Sequence, residues 1–333
     1  MKFTRTKKIV FFNNKGGVGK TTLAYNTAVK FAKNGYKTVL IDLDPQCNLS
    51  ELVLGNVFVE NLFSDTQKTI YDVVGSLVSA TGDVNHDIEF TKTPYENLSI
   101  LPGSLQMSLF EELLVNNFNS AMSGQEAGYT ITSAISRFLL EKGLNEEVDL
   151  FIIDTSPSLG VLNKTILLDT NYFIAPMKPD NFSLMGVENL GTILEKWKKQ
   201  WRVGAKALAG DIPSQNVIDG EGLFIGYVIN EYNQYNEKPI STHEEWMKKI
   251  AMPIKTYLSE KHCKNGLVEK SWREELAIIK DYGQLTAESQ RYNKAIFDFK
   301  ESDFPTGTVD NIQKSDEEFQ RLFENIENIL KEY

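Results

Sequence analysis

Three observations predict an α/β fold with a doubly wound, mostly parallel sheet flanked by helices and carrying a helical insertion. Short, continuously apolar runs alternate with stretches of helical periodicity, the pattern of strands buried on both faces between covering helices. The first apolar run leads through a glycine-rich turn into a helical segment and then a second apolar run. Such short links make a βαβ unit and favour parallel pairing. Finally, 333 residues with 41 % hydrophobic and 24 % charged side chains suit one large α/β domain with insertions, or two domains. We expect a single domain over 1–333.

In chain order, Lys2, Arg5, Lys7 and Lys8 precede Ile9, Val10, Phe11 and Phe12, which Asn13-Asn14 stop. A β-branched and aromatic run ended by turn residues is a buried strand. From Lys20, Leu23, Thr27 and Phe31 recur at helical spacing with Ala24, Ala28 and Ala32, up to the stop at Asn34-Gly35. Lys37 to Leu43 is the second strand. Further strands are predicted at Leu98–Leu101, Leu150–Ile153, Tyr172–Ala175 and Leu223–Ile229, and helices at Ile131–Leu140 and Leu184–Trp201. Residues 55–96 and 203–222 read as insertions or long loops, and 232–285 as a helical insertion. Near 310–332 Phe319, Leu322, Phe323, Ile326, Ile329, Leu330 and Tyr333 share one helical stripe, expected to dock on the core.

Composition removes several function classes. A formal charge of −10 argues against a surface uniformly positive for nucleic acid, while leaving room for a local basic patch. The run Ile9 to Phe12 is far short of the roughly 20 residues of a membrane span or the about 7 of a signal sequence. Cys47 and Cys263 are the only cysteines, so a disulfide scaffold, a structural zinc site and a cysteine-ligated cluster within the chain are not expected. A reducing cytoplasm is the expected compartment. His86, His243 and His262 have no ligand spacing and read as surface or incidental residues.

The stretch Asn14-Lys15-Gly16-Gly17-Val18-Gly19-Lys20-Thr21-Thr22 carries the most chemistry. Glycines let successive backbone N–H groups approach phosphate oxygens with no Cβ in the way. Lys20 is expected at the terminal phosphates, the Thr21 hydroxyl on Mg²⁺, and the following helix aims its positive end at the anion. Asn14 stands where the strict P-loop pattern has glycine.

The run Lys15 to Thr22 resembles the deviant Walker A motif of the ParA/MinD family of ATPases, with Lys15 at the signature lysine. The resemblance implies a P-loop NTPase fold, ATP and Mg²⁺ as cofactors, and Lys15 reaching phosphates bound by the partner subunit of a homodimer. Leu40-Ile41-Asp42-Leu43-Asp44-Pro45-Gln46 is similar to the family's second-strand motif, which implies Asp42 near the Mg²⁺ shell and Asp44 orienting the attacking water. Phe151-Ile152-Ile153-Asp154-Thr155-Ser156-Pro157 resembles its Walker B segment, implying Asp154 as a Mg²⁺ residue, with Ser156 where the family has proline. Asn230 lies where relatives place an adenine-contacting asparagine.

Within the family, a cluster carrier lacks its paired cysteines here. A membrane-binding helix is not expected either, because residues 301–333 hold nine acids and three bases and anionic lipid would repel them. DNA partition needs a sequence-indifferent basic surface. Two clusters offer one: Lys196, Lys198, Lys199, Arg202 and Lys206, and the segment 248–280 with Lys248, Lys249 and Arg273 among its bases. The resemblance therefore implies a nucleoid-associated partition ATPase that dimerises with ATP, holds nonspecific DNA and is released by a centromere-binding partner that stimulates hydrolysis. The competing class is an ATP-dependent switch positioning a protein cargo, with no DNA role.

Overall fold

The computed structural model describes residues 2–3, 5–61, 67–232, 234–235, 238–239, 241–263, 274–300 and 306–332. The strands are β1 (Lys7–Phe11), β2 (Thr38–Asp42), β3 (Thr91–Lys92), β4 (Leu98–Leu101), β5 (Leu150–Asp154), β6 (Tyr172–Met177), β7 (Leu223–Tyr232), β8 (Gln234–Tyr235), β9 (Lys238–Pro239) and β10 (Glu275–Lys280). Between and after them run α1 (Lys20–Lys33), α2 (Asn48–Leu54), α3 (Asn56–Asn61), α4 (Ile70–Val78), α5 (Met107–Met122), α6 (Glu126–Thr132) and α7 (Ala134–Asn145). The remaining helices are α8 (Val161–Asp169), α9 (Asn181–Trp201), α10 (Ser241–Pro253), α11 (Glu260–His262), α12 (Gln284–Tyr292) and α13 (Thr306–Glu332).

An eight-stranded sheet has the order β10-β7-β6-β1-β5-β2-β4-β3. Every neighbouring pair is parallel except β3 with β4. Successive side chains alternate between its faces, and both faces are apolar. Ile9 and Phe11 pack with Leu150 and Ile152 on one side, under α1, α2 and α13. Val10 and Phe12 pack with Phe151 and Ile153 on the other, under α4, α5, α7, α8 and α9. A sheet covered twice explains why its strands read as unbroken apolar runs.

The predicted C-terminal stripe docks as expected: Phe319 and Ile326 are fully buried, and the Phe323 ring meets Phe31 of α1 at 4.8 Å. Tyr333 lies outside the described residues. Other readings are corrected. Residues 55–96 carry α3, α4 and β3, and α4 buries Ile70, Val73, Val74 and Leu77 in the core. Its start is fixed by Asp72, whose carboxylate accepts the Thr69 N–H at 2.8 Å. The helix read over Ile131–Leu140 breaks at Ser133, where the Thr132 and Ser133 hydroxyls each donate back to a carbonyl one turn earlier at 2.8 Å, a bond that competes with helix continuation. Residues 203–222 are not all loop: Arg202–Lys206 is a π-helical turn and Ser214–Asn216 a 3-10 turn. The segment 232–285 is helical in α10 and α11 but ends in β10, which joins the main sheet beside β7.

Candidate nucleotide site

β1 lies mid-sheet, between β5 and β6, so its following loop opens at the carboxyl ends of parallel strands, where such sheets receive ligands. Asn13 anchors that loop: its amide donates to Pro176 O at 2.7 Å and its Oδ1 accepts the Lys15 N–H at 2.9 Å. Gly17 and Gly19 take φ of 70° and 84°, a region that disfavours any side chain. At Gly19 space forbids one too, since an added Cβ would lie 2.1 Å from Asn230 Nδ2. That amide donates to Val18 O at 3.2 Å, holding the buried Val18 against β7. Asn230 is inside β7 and not at its end, because the strand runs on to Tyr232.

The loop faces a cleft of about 520 Å³ lined by Gly16, Gly17, Gly19, Lys20, Thr21, Thr22 and Asp44. Gln46, Asn48, Glu51, Leu52, Thr155, Pro157 and Gln290 complete it. Lys20 is 7 % exposed; burial pulls its ammonium below the usual lysine range, while Asp154 and Asp44 oppose that shift. The Thr21 hydroxyl donates to Asp154 Oδ2 at 2.6 Å, and Asp154 Oδ1 is buried without a partner. Burial lifts the Asp154 carboxyl to about 6. Asp44 stands at the cleft with Oδ1 accepting the Gln46 N–H at 3.0 Å.

Asp42 differs from expectation in its engagement. Ser50 donates to Oδ2 from its N–H at 2.8 Å and its hydroxyl at 2.6 Å, and the Asp44 N–H approaches Oδ1 at 3.2 Å. Fully buried, it is raised to about 7, chiefly by desolvation and then by Asp154. Its oxygens brace the loop that carries Asp44, so its geometry is that of a strut. Lys15 sits at the rim with its ammonium on the Asp180 carboxylate. Cys47, buried beside these acids, has its thiol pushed up to about 12, which makes it inert.

A second hollow of about 250 Å³ adjoins Gly19 and Thr22; Ile279, Tyr282, Ile296 and Phe319 wall it together with Asn230, Thr286 and the charged Glu231, Lys280 and Asp281. A larger hollow than either, about 1050 Å³, lies beyond α2 between Phe90, Tyr95 and Tyr292. It contains no phosphate-loop residue, so donor chemistry and not volume marks the site.

The basic clusters fare unequally. Lys198 is corrected outright: it is 7 % exposed and its ammonium donates to Gly222 O, so no phosphate can reach it. Burial lowers it to about 8. Arg202 is exposed but 3.4 Å from Glu221, and Lys206 is 3.6 Å from Asp219. Lys248 and Lys249 are exposed on α10. Arg273 lies outside the described residues. His262 is also corrected, being 2 % exposed with Nε2 at 2.8 Å from Gly191 O.

Sequence reasoning missed Asn13, Ser50, Asp180 and Gln290. An Asp before a helical pattern is an N-cap signal that could have flagged Asp180. Gln290 comes from α12, remote in sequence from the loop it faces, and had no local signal.

Residues 6–206 match the AAA_31 family model, described as an AAA domain. The chain is 29 % identical over 228 residues to an uncharacterized protein of Methanocaldococcus jannaschii, MJECL24, covering 68 % of this chain and 74 % of that one. It is 31 % identical over 181 residues to the chromosome-partitioning ATPase Soj of Treponema pallidum, covering 54 % of this chain and 60 % of Soj. The match thus spans about three fifths of that relative's length. The crystal structure of protein DIP2308 from Corynebacterium diphtheriae superposes with a TM-score of 0.72 at 26 % identity, over 86 % of this chain and 97 % of that one. By its matched family model and these relatives, the chain belongs to the ParA/Soj/MinD family of P-loop ATPases.

Proposed function

We propose that the chain is a MgATP-hydrolysing, dimerising partition ATPase that holds nonspecific DNA in the ATP state and is released by a partner that stimulates hydrolysis. The observation that carries the reading is the cleft's lining: the phosphate-loop glycines, Lys20, Thr21 and Asp44 share it, and behind it the Thr21 hydroxyl is bonded to Asp154, whose other oxygen is buried without a partner. Hard oxygen donors with one orphaned carboxylate oxygen fit Mg²⁺. Among the described residues no group of three His, Cys, Asp or Glu could cage a metal alone, as suits an ion held largely by water and nucleotide phosphates. When bound, magnesium neutralises charge on the phosphate oxygens.

Glycine N–H groups and Lys20 hold the phosphates, Asp44 orients the attacking water, and Lys15 adds a positive charge against the phosphates of a second copy. The hollow beside Gly19 suits the adenine ring, with Asn230 at its edge. The partition names of relatives such as Soj and the exposed Lys248 and Lys249 support DNA as the ligand of the ATP state. Arg202 and Lys206 sit in ion pairs with Glu221 and Asp219, and those pairs are the observation that keeps a protein cargo as the second reading. Among the described residues no helix is long and apolar enough to cross a membrane.

Calorimetry with MgATP followed by mobility shifts on two unrelated duplexes tests both halves. The parent should bind nucleotide and, only then, both duplexes alike; Lys20→Ala should bind neither nucleotide nor DNA. Nucleotide binding with no DNA retained at low salt would move the reading to protein cargo.

A further inference from the structure

Asp180 touches two functional elements at once. It is the N-cap of α9, with Oδ1 accepting the Ser183 N–H at 2.9 Å and the Ser183 hydroxyl at 3.2 Å. Oδ2 holds the Lys15 ammonium, which also lies 5.8 Å from the Phe182 ring. The Asp180 carbonyl accepts the indole N–H of Trp246 at 2.7 Å. Trp246 is 3 % exposed and belongs to α10, two and three residues ahead of Lys248 and Lys249. The phosphate loop and the helix that carries Lys248 and Lys249 therefore meet on one residue, through its carboxylate and its carbonyl.

The two bonds differ in strength. The Lys15–Asp180 pair is partly exposed, at 30 % and 35 %, and exposed pairs contribute little and break readily. A polyphosphate offers the same ammonium several charged acceptors where Asp180 offers one. The indole bond is buried, and an indole N–H left inside without an acceptor is costly. When Lys15 leaves, the start of α9 loses its tether to the loop, and α10 stays fastened to it.

We propose that Asp180 and Trp246 transmit nucleotide occupancy from Lys15 to α10, so that the placement of α10, and with it of the exposed Lys248 and Lys249, changes when phosphates draw Lys15 off Asp180. Trp246 is thus a positioning residue that touches neither ligand. The inference rests on the reading above for what α10 binds, but the relay can be measured without DNA.

Hydrogen exchange over residues 241–253, with and without MgATP, reads the coupling directly. In the parent, MgATP should change exchange in α10 by about fivefold, a typical coupling between sites. Trp246→Phe keeps a ring in place and removes the donor; it should leave nucleotide affinity and basal hydrolysis at parental values while abolishing that response. The ratio of duplex affinity in MgATP to that in MgADP should fall with it, by about fivefold. Asp180→Asn keeps an equally good cap and the carbonyl but loses the charge on Lys15. Its α10 should exchange without nucleotide as the parent does with it. A parent whose α10 ignores bound MgATP overturns the relay, as does a Trp246→Phe protein that responds fully. A responding parent that binds no DNA in any state upholds the relay and removes the DNA reading alone.

Discussion

Asp42 ends β2 and Asp44 lies two residues on in the following loop; they differ in what their oxygens do, and that difference makes separable predictions. Asp44 faces the cleft while Asp42 is spent on Ser50. Asp44→Ala should bind MgATP with near-parental affinity and accumulate as a nucleotide-bound dimer, read by light scattering, with hydrolysis at least about a hundredfold down. An Asp44→Ala protein that hydrolyses normally would remove the water-orienting role. His262 gives a pH prediction. Burial first, then Lys198, lowers its imidazole from the usual 6.5 to about 4. Between those values the unfolded chain binds more protons than the folded one, so this histidine costs stability as pH falls from 6.5 toward 4. His262→Gln, able to keep a bond to Gly191 O, should flatten that acid limb in denaturant titrations. An unchanged limb would show the imidazole taking its proton without unfolding.

Elements were legible wherever a single periodicity held. The central strands were readable as unbroken apolar runs because both their faces are buried, and the stripe of α13 because it buries one regular face. β10 was not: Glu275-Leu-Ala-Ile-Ile-Lys is a short apolar run framed by charges at the end of a charged segment, and only its pairing with β7 makes it a strand. The phosphate loop could be read residue by residue because glycine spacing encodes backbone geometry. Lys198 was misread because a lysine in a charged helix looks solvated until the turn carrying Gly222 is seen packed on it. The packing of α13 is testable as an element. Phe323→Ala removes a ring buried against Phe31 and Tyr36 and should cost about 3 kcal/mol in urea titrations, with MgATP affinity of the remaining folded protein unchanged.

Across the whole molecule the net charge is −10, so any DNA contact must be made by a local face against general repulsion. Affinity for duplex should then fall steeply with salt as condensed counterions are released. Reversing Lys248 and Lys249 to glutamate should weaken all sequences alike and flatten the salt dependence, with basal hydrolysis intact; Lys198→Met should alter neither. Loss confined to one duplex would contradict a sequence-indifferent face.

The closure of α13 on α1 also sets a schedule for synthesis. The Lys30 ammonium and Asp316 meet at 2.6 Å across 286 residues of chain, so α13 is made long after the helix it packs on. At about 5–20 residues per second, the phosphate loop leaves the ribosome many seconds before Phe323 can meet Phe31 of α1. During that interval the face of α1 around Phe31, which Phe323 later meets, stays open. A nascent chain stalled before residue 306 should be captured by chaperones or aggregate, and a full-length chain should gain protease resistance in one late step.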